Sequence, residues 1–248
     1  MSPVISPIFT RFCVQALAHL VLFASLLCGV SAAMAGVQDD FFQAAKVDNH
    51  IVISELLKEG LSPNITEPER GDSALILALR EDSMRAVRAL LKAPDIDLEL
   101  KSNNGDNALM IAAFRANLDA VKALLARGAK VNRPGWTALH YAAAIGDQAI
   151  LQLLLDHKAN PDATSPNGTT ALMMAARGGH ILGVKLLLDA GANISLKNEQ
   201  GYDAVEMAKI FNNTEIVEGL QFQIKKRAVA KAATAPTPST NPNAGSTK

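Results

Sequence analysis

Five alanines, Ala74, Ala108, Ala138, Ala171 and Ala204, stand 34, 30, 33 and 33 residues apart, and self-similarity at such a period marks an array of stacked supersecondary units. The unit is most complete at Gly135-Trp136-Thr137-Ala138-Leu139-His140-Tyr141-Ala142-Ala143. A Gly-rich turn comes first. The Thr137 hydroxyl can then accept from the free N–H groups of a helix starting near Ala138. His140, three residues on, can reach back to the turn as the acidic partner of a capping box does. The helix is short and Ala-rich, and Gly146 closes it before the apolar run Ile150 to Leu155. Asp40, 34 residues before Ala74, marks a degenerate sixth unit.

Two further columns keep this register. Apolar stripes with helical spacing follow each unit at Ile51–Leu57, Val87–Leu91, Val121–Leu125, Leu151–Leu155, Val184–Leu188 and Ile216–Leu220, so every unit reads as a pair of helices. Eight residues after each aligned position stand Asp48, Asp82, Ala116, Gly146, Gly179 and Asn212. Gly, Asn and Asp enter the left-handed region cheaply. The column therefore predicts a sharp reversal between antiparallel helices, with Ala116 the exception.

This pattern resembles the ankyrin repeat. The resemblance implies an all-α solenoid of stacked helix-turn-helix units with short projecting turns. The boundaries it implies are an N-terminal cap at about 38–66, repeats at about 70–100, 103–132, 133–163 and 166–196, and a C-terminal cap at 199–222, within a domain of 36–224. End units of a solenoid must face water, which suits Asp40 to Ala45, read as an Asp-to-Gln capping pair, and the charged box Asp203-Ala204-Val205-Glu206. Asn212-Asn213-Thr214 reads as a loosened last turn. The chain departs from the family in four respects. Alanine replaces the proline after the capping residue. The motif histidine occurs once, with Ile76, Met110, Met173 and Glu206 elsewhere, so apolar packing should replace most of the side-chain ladder between repeats. The turn between Asn132 and Gly135 is three residues shorter than its counterparts, and Pro94 stops a second helix where Gly60, Gly128 and Gly191 end others.

Residues 1–35 differ in composition. Arg11 is their only charged residue, Phe12 to Val30 is mainly apolar, and Ala33-Met34-Ala35 precedes Gly36 as an A-x-A cleavage site. They read as a secretory signal peptide; the alternative is a retained inner-membrane anchor. Both cysteines, Cys13 and Cys28, lie in this segment, which leaves the remaining 213 residues without disulfide or thiol chemistry. Those residues carry 23 basic and 24 acidic side chains, a balance that suggests neither nucleic acid nor an anionic membrane as partner. Residues 225–248 open with Lys225-Lys226-Arg227 and continue in Ala, Thr, Pro, Ser and Asn, the composition of a disordered basic tail.

No catalytic constellation emerges. His50, His140, His157 and His180 occupy different positions in different units and form no ligand pair at helical spacing. The acidic residues read as caps, turns and solvated faces rather than paired catalytic acids. The expectation is accordingly no enzyme, no metal and no cofactor. The family resemblance implies a concave face built from turn tips and first helices. Its exposed positions are Asp72, Asp106, Trp136, Thr169 and Tyr202 before the caps, and Lys46-Val47, Arg80-Glu81, Phe114-Arg115, Ala144-Ile145, Arg177-Gly178 and Ile210-Phe211 at the helix ends. Trp, Tyr and Arg dominate binding hot spots, so the expected partner-binding residues are Arg80, Phe114, Arg115, Trp136, Arg177, Tyr202 and Phe211. The competing expectation is local: Trp136 packing on the shortened turn and Phe211 covering the last repeat boundary. The functional expectation is a monomeric periplasmic protein-binding module, with support of a stress-defence enzyme ranked first among its roles. Alternatives are a secreted protein acting on host or competitor proteins, and an enzyme whose site forms across repeats.

Overall fold

The computed structural model describes residues 36–233. Residues 1–35, expected to be the signal, and 234–248, the rest of the expected tail, lie outside the described residues. The chain divides into two compact units at Ala108 and Leu109.

The first unit holds α1 (36–46), α2 (His50–Lys58), α3 (Ala74–Arg80) and α4 (Met84–Leu90). In the second lie α5, which starts at the boundary (Ala108–Phe114), α6 (Leu118–Ala126), α7 (Ala138–Ile145), α8 (Gln148–Asp156), α9 (Ala171–Gly178), α10 (Ile181–Asp189), α11 (Ala204–Ile210) and α12 (Thr214–Ala233). The described residues contain no strand beyond two isolated bridges at turn tips, Thr66 with Ser73 and Thr164 with Thr170. The architecture is the expected all-α array of helix pairs. Helices of seven to nine residues are too short to persist alone, so their stability comes from burial. Ala74, Leu75, Ala78, Leu79, Val87 and Leu90 are each at most 1% exposed in the first unit, and Leu139, Ala142, Ile150, Leu151 and Leu154 at most 2% in the second.

The reversal column behaves as its residue types require. Asp48, Asp82, Ala116 and Asn212 have φ of 58°, 54°, 53° and 59°, and Gly146 and Gly179 have 80° and 74°. Lys158 also turns left-handed, at φ 66°, where Gly60, Gly128 and Gly191 end the equivalent helices at 96°, 97° and 94°. Gly146 has a second reason to lack a side chain: a Cβ there would collide with the His180 ring.

Capping follows the motif. Ser73 Oγ accepts from Ile76 N at 3.3 Å and Thr170 Oγ1 from Met173 N at 3.3 Å, while Asp203 and Glu206 complete a reciprocal box at 2.9–3.0 Å. His140 is 1% exposed. Its Nδ1 accepts from Thr137 N at 3.1 Å and lies 2.8 Å from Thr137 Oγ1, and its Nε2 lies 3.0 Å from the Thr169 carbonyl. That carbonyl only accepts, which places the proton on Nε2 and leaves Nδ1 the acceptor. Burial lowers the imidazole pKa below its ordinary 6.5, against the opposing pull of the Thr169 carbonyl.

Apolar side chains fill three of the four remaining ladder positions, Ile76, Met110 and Met173 being 1% exposed, and Glu206 of the last unit holds the fourth. A second polar ladder accompanies them, one residue past the reversal. Ser83 Oγ donates to the Lys46 carbonyl at 2.9 Å, His180 Nε2 to Ala144 at 2.9 Å, and Asn213 Nδ2 to Ala176 and Arg177 at 2.8 and 3.0 Å. At the same column Asn49, Asn117 and Asp147 accept from their own helix N–H groups. On the outer loops Asn64 donates to Asp95 O and accepts from Asp97 N at 2.8 Å, and Asn132 joins Lys158 O and Asn160 N at 2.7 and 2.8 Å.

Three expectations need correction. Asp40 lies inside α1, so it is no N-cap; 37–46 contains no breaker to start the helix later. The Asn212-Asn213 turn is tied by Asn213 to the preceding repeat and is not loose. The C-terminal helix also does not end near 222. It runs through Lys225-Lys226-Arg227 to Ala233, a stretch of good helix formers, and Arg227 donates to Ala192 O at 3.0 Å and Leu188 O at 3.3 Å.

Replacing Ala116 or Lys158 by Gly relieves left-handed strain and is expected to raise stability by about 1 kcal/mol each. Gly146→Ala, in the same column as Ala116, adds strain and a clash and should lower the thermal midpoint in the same assay. A second expectation concerns pH. Because the folded pKa of His140 lies below its unfolded value, its contribution is complete above about pH 6.5 and is lost as the pH falls through that value toward the folded pKa. Melts at about pH 7.5 and pH 5.5 should therefore differ less in His140→Met than in the parent; equal losses in both would refute the assignment.

Candidate functional site

The second unit gathers most of the expected binding residues at the C-terminal ends of its first helices and at its turn tips. Phe114 ends α5 and is 48% exposed. Its ring meets Tyr141 of α7 edge-on at 5.9 Å and 83°. Trp136, half-buried on the turn before α7, lies 6.3 Å from Tyr141 at 48° and meets the His140 ring edge-on at 5.3 Å. Tyr141 thus joins two candidates that are 22 residues apart in sequence.

A second pair lies on α9 and after α11. The Arg177 guanidinium carbon stands 4.9 Å over the Phe211 ring, and Phe211 is 44% exposed. The attraction is that of a cation for the face of an aromatic ring, and it holds an arginine extended on the surface. Tyr202 is 41% exposed, its backbone fixed by donation to Asn198 Oδ1 at 2.9 Å. Arg115 is exposed beside Phe114. Ile145 and Ile210, also at helix ends, are 41% and 51% exposed.

Arg80 differs from the rest. It belongs to the first unit, and its Nε and Nη2 donate to both oxygens of Asp72 at 2.8 and 3.4 Å. Asp72 is fully buried, although its position before the cap predicts exposure. The bidentate geometry explains this, because a buried carboxylate must be paired. Thr169, expected exposed, is 5% exposed; its carbonyl meets His140 and its N–H donates to Ser165 Oγ at 3.0 Å.

Tyr141 is the residue that the column reading misses. It stands three after the aligned alanine, where other units have Leu77, Ile111, Met174 and Met207, and an aromatic in that aliphatic column was the available signal. The Trp136 ring meets His140 and Tyr141 of α7 while remaining half-open.

Among the described residues no group of three His, Cys, Asp or Glu side chains could hold a metal ion. A cleft of about 600 Å³ in the first unit is lined by Leu57, Leu61, Pro63 and Ala93. Its serines serve the backbone: Ser54 Oγ donates to His50 O at 2.6 Å and Ser62 Oγ accepts from Asn64 N at 3.2 Å. What the second unit offers is a set of open or half-open aromatic rings at Phe114, Trp136, Tyr141, Tyr202 and Phe211, with exposed arginines at Arg115 and Arg177.

Because the Trp136 ring makes two aromatic contacts, Trp136→Ala should cost roughly 1–3 kcal/mol of stability. Phe114→Ala, which opens one contact at a half-exposed position, should cost less. Chemical denaturation of both variants ranks them, and the reverse order would contradict this account of the cluster.

A family model described as ankyrin repeats, three copies, matches residues 41–134 and 132–198. Among solved structures the chain resembles the ankyrin repeat domain of Bcl-3, described as a unique member of the IkappaB protein family, with a TM-score of 0.61 and 29% identity over 71% of this chain and 81% of that one. Among curated proteins none matches. The period, the capped helix pairs, the left-handed reversals and the matched model agree, and the chain belongs to the ankyrin-repeat family.

Proposed function

We propose that this chain is a non-enzymatic, monomeric protein-binding array, exported by a signal cleaved before Gly36, that engages a partner protein in the cell envelope. Ankyrin repeats are protein–protein interaction modules; the compartment, the partner and the residues used are our reading. The partner class ranked first is a periplasmic stress-defence enzyme. The array would support it by holding it in place, with no bond chemistry of its own.

One observation carries the choice of surface. Phe114, Trp136, Tyr141, Tyr202 and Phe211 include both tyrosines and the single tryptophan of a chain with 4% aromatic residues, and all five keep rings half-open or open in one unit. Arg115 and Arg177 stand among them. Side chains already held in place, as Phe114 and Trp136 are against Tyr141 and Arg177 over Phe211, lose little freedom on binding. Arg80, neutralised by Asp72, is left out of this surface.

The test is affinity capture from envelope extract with the chain from Gly36, beside a variant carrying Phe114→Ala, Arg115→Ala and Tyr202→Ala. Intact mass of the exported protein is measured from the same cells. We expect one enriched protein, bound about 30-fold more weakly by the variant, and a mass that begins at Gly36. Equal capture by both chains would remove the aromatic surface from the proposal, and an intact mass retaining residues 1–35 would replace the periplasmic form by an anchored one.

A further inference from the structure

The near-neutral charge of the chain conceals a strong segregation. Residues 219–248 contain Lys225, Lys226, Arg227, Lys231 and Lys248 and no Asp or Glu. Arg11 is the one cation before Gly36, so residues 36–218 hold 18 of the 24 basic side chains and all 24 acidic ones. A block of −6 is followed by a block of +5. The basic block also has a defined presentation, because α12 continues as a helix to Ala233.

The faces of that helix are set by what it touches. Ile216 and Leu220 are 3% and 0% exposed, and Arg227, seven residues after Leu220 and so on the same face, donates to the Leu188 and Ala192 carbonyls. The opposite face carries Phe222 and Val229, again seven apart, at 63% and 70% exposure, with the exposed Lys225 and Lys226 between them and the exposed Glu218 one turn before Phe222 at its N-terminal end. Residues spaced three, four and seven apart are neighbours on a helix. The outcome is a ridge of one aromatic and one branched aliphatic side chain with two ammonium groups between them, pointing away from the repeats.

We propose that this ridge docks on an anionic lipid surface. Its shape favours a bilayer over a protein. A convex helix face needs a matching groove in a protein partner, whereas the headgroup region receives a basic and aromatic ridge without any preformed shape. Phe222 and Val229 enter the boundary between headgroups and acyl chains, and the lysine stems extend along it to place their ammonium groups at lipid phosphates. The contact is peripheral: no described helix is long and apolar enough to cross a membrane. This surface is separate from the aromatic set of α5 to α11, and either assignment can fail alone. It also revises the expectation, drawn from net charge, that an anionic membrane is no partner.

The test is co-sedimentation of the chain from Gly36, which holds every described element, with vesicles of phosphatidylcholine alone or with about one-third phosphatidylglycerol. We expect at least about tenfold stronger partition onto the anionic vesicles, released by salt. Lys225→Ala with Lys226→Ala should weaken it about thirtyfold, and Phe222→Ser should also weaken it, with melting midpoints unchanged because the three side chains are exposed. Phe114→Ala should bind vesicles as the parent does. Equal partition onto neutral and anionic vesicles, or parental binding by the lysine variant, would overturn the proposal. So would a lysine variant that loses an acidic protein in capture while keeping its vesicle binding.

Discussion

The left-handed residue between the two helices of each unit is the constraint on which the other features rest. Two helices of seven to nine residues can fold back on each other within a few residues only if one residue takes a positive φ, and six do so in register from Asp48 to Asn212. Once the reversal is made, the next side chain stands beside the preceding repeat. Ser83, His180 and Asn213 use that place to cap the carbonyls of the neighbouring first helix. The backbone polar groups left at the end of one short helix are thus satisfied by the following unit, and each helix pair depends on its neighbour for hydrogen bonds as well as for apolar cover.

His140 shows the same dependence inside the fold. One ring nitrogen closes the turn of its own repeat, and the other holds the carbonyl at the next turn. Both contacts require a neutral ring with the proton on Nε2. Methionine or isoleucine fills the equivalent position in three other units and packs equally deeply, so a repeat can be joined to the next by an apolar contact or by a hydrogen bond without altering the helices around it.

Much of this was legible in the sequence because it depends on local chemistry at a fixed spacing. The period, the reversal column, the Ser73, Thr170 and Asp203 caps and the structural role of His140 all follow from residue types a few positions apart. The polar ladder at Ser83, His180 and Asn213 was not legible, because its acceptors are backbone carbonyls 36 or 37 residues away that any sequence provides. Lys158 hid for a related reason: a left-handed lysine is unfavourable alone and is tolerated where tertiary packing imposes the turn. Around the site, exposure was assigned by column. That works for Phe114, Tyr202 and Phe211 and fails for Asp72 and Thr169, where one hydrogen-bond partner, Arg80 or His140, folds the residue inward. The reach of α12 was missed because the stretch was read by composition, whereas Arg227 anchors it to the repeat before.

The contact between Phe114 and Tyr141 belongs to two helix pairs at once. Any molecule that covers those rings also clamps one repeat to the next, so its binding free energy is shared with the cohesion of the stack. Recognition and folding then draw on the same atoms, and sequence drift at these rings is constrained twice over: a change that retunes the surface for a new ligand also loosens or tightens the joint beneath it.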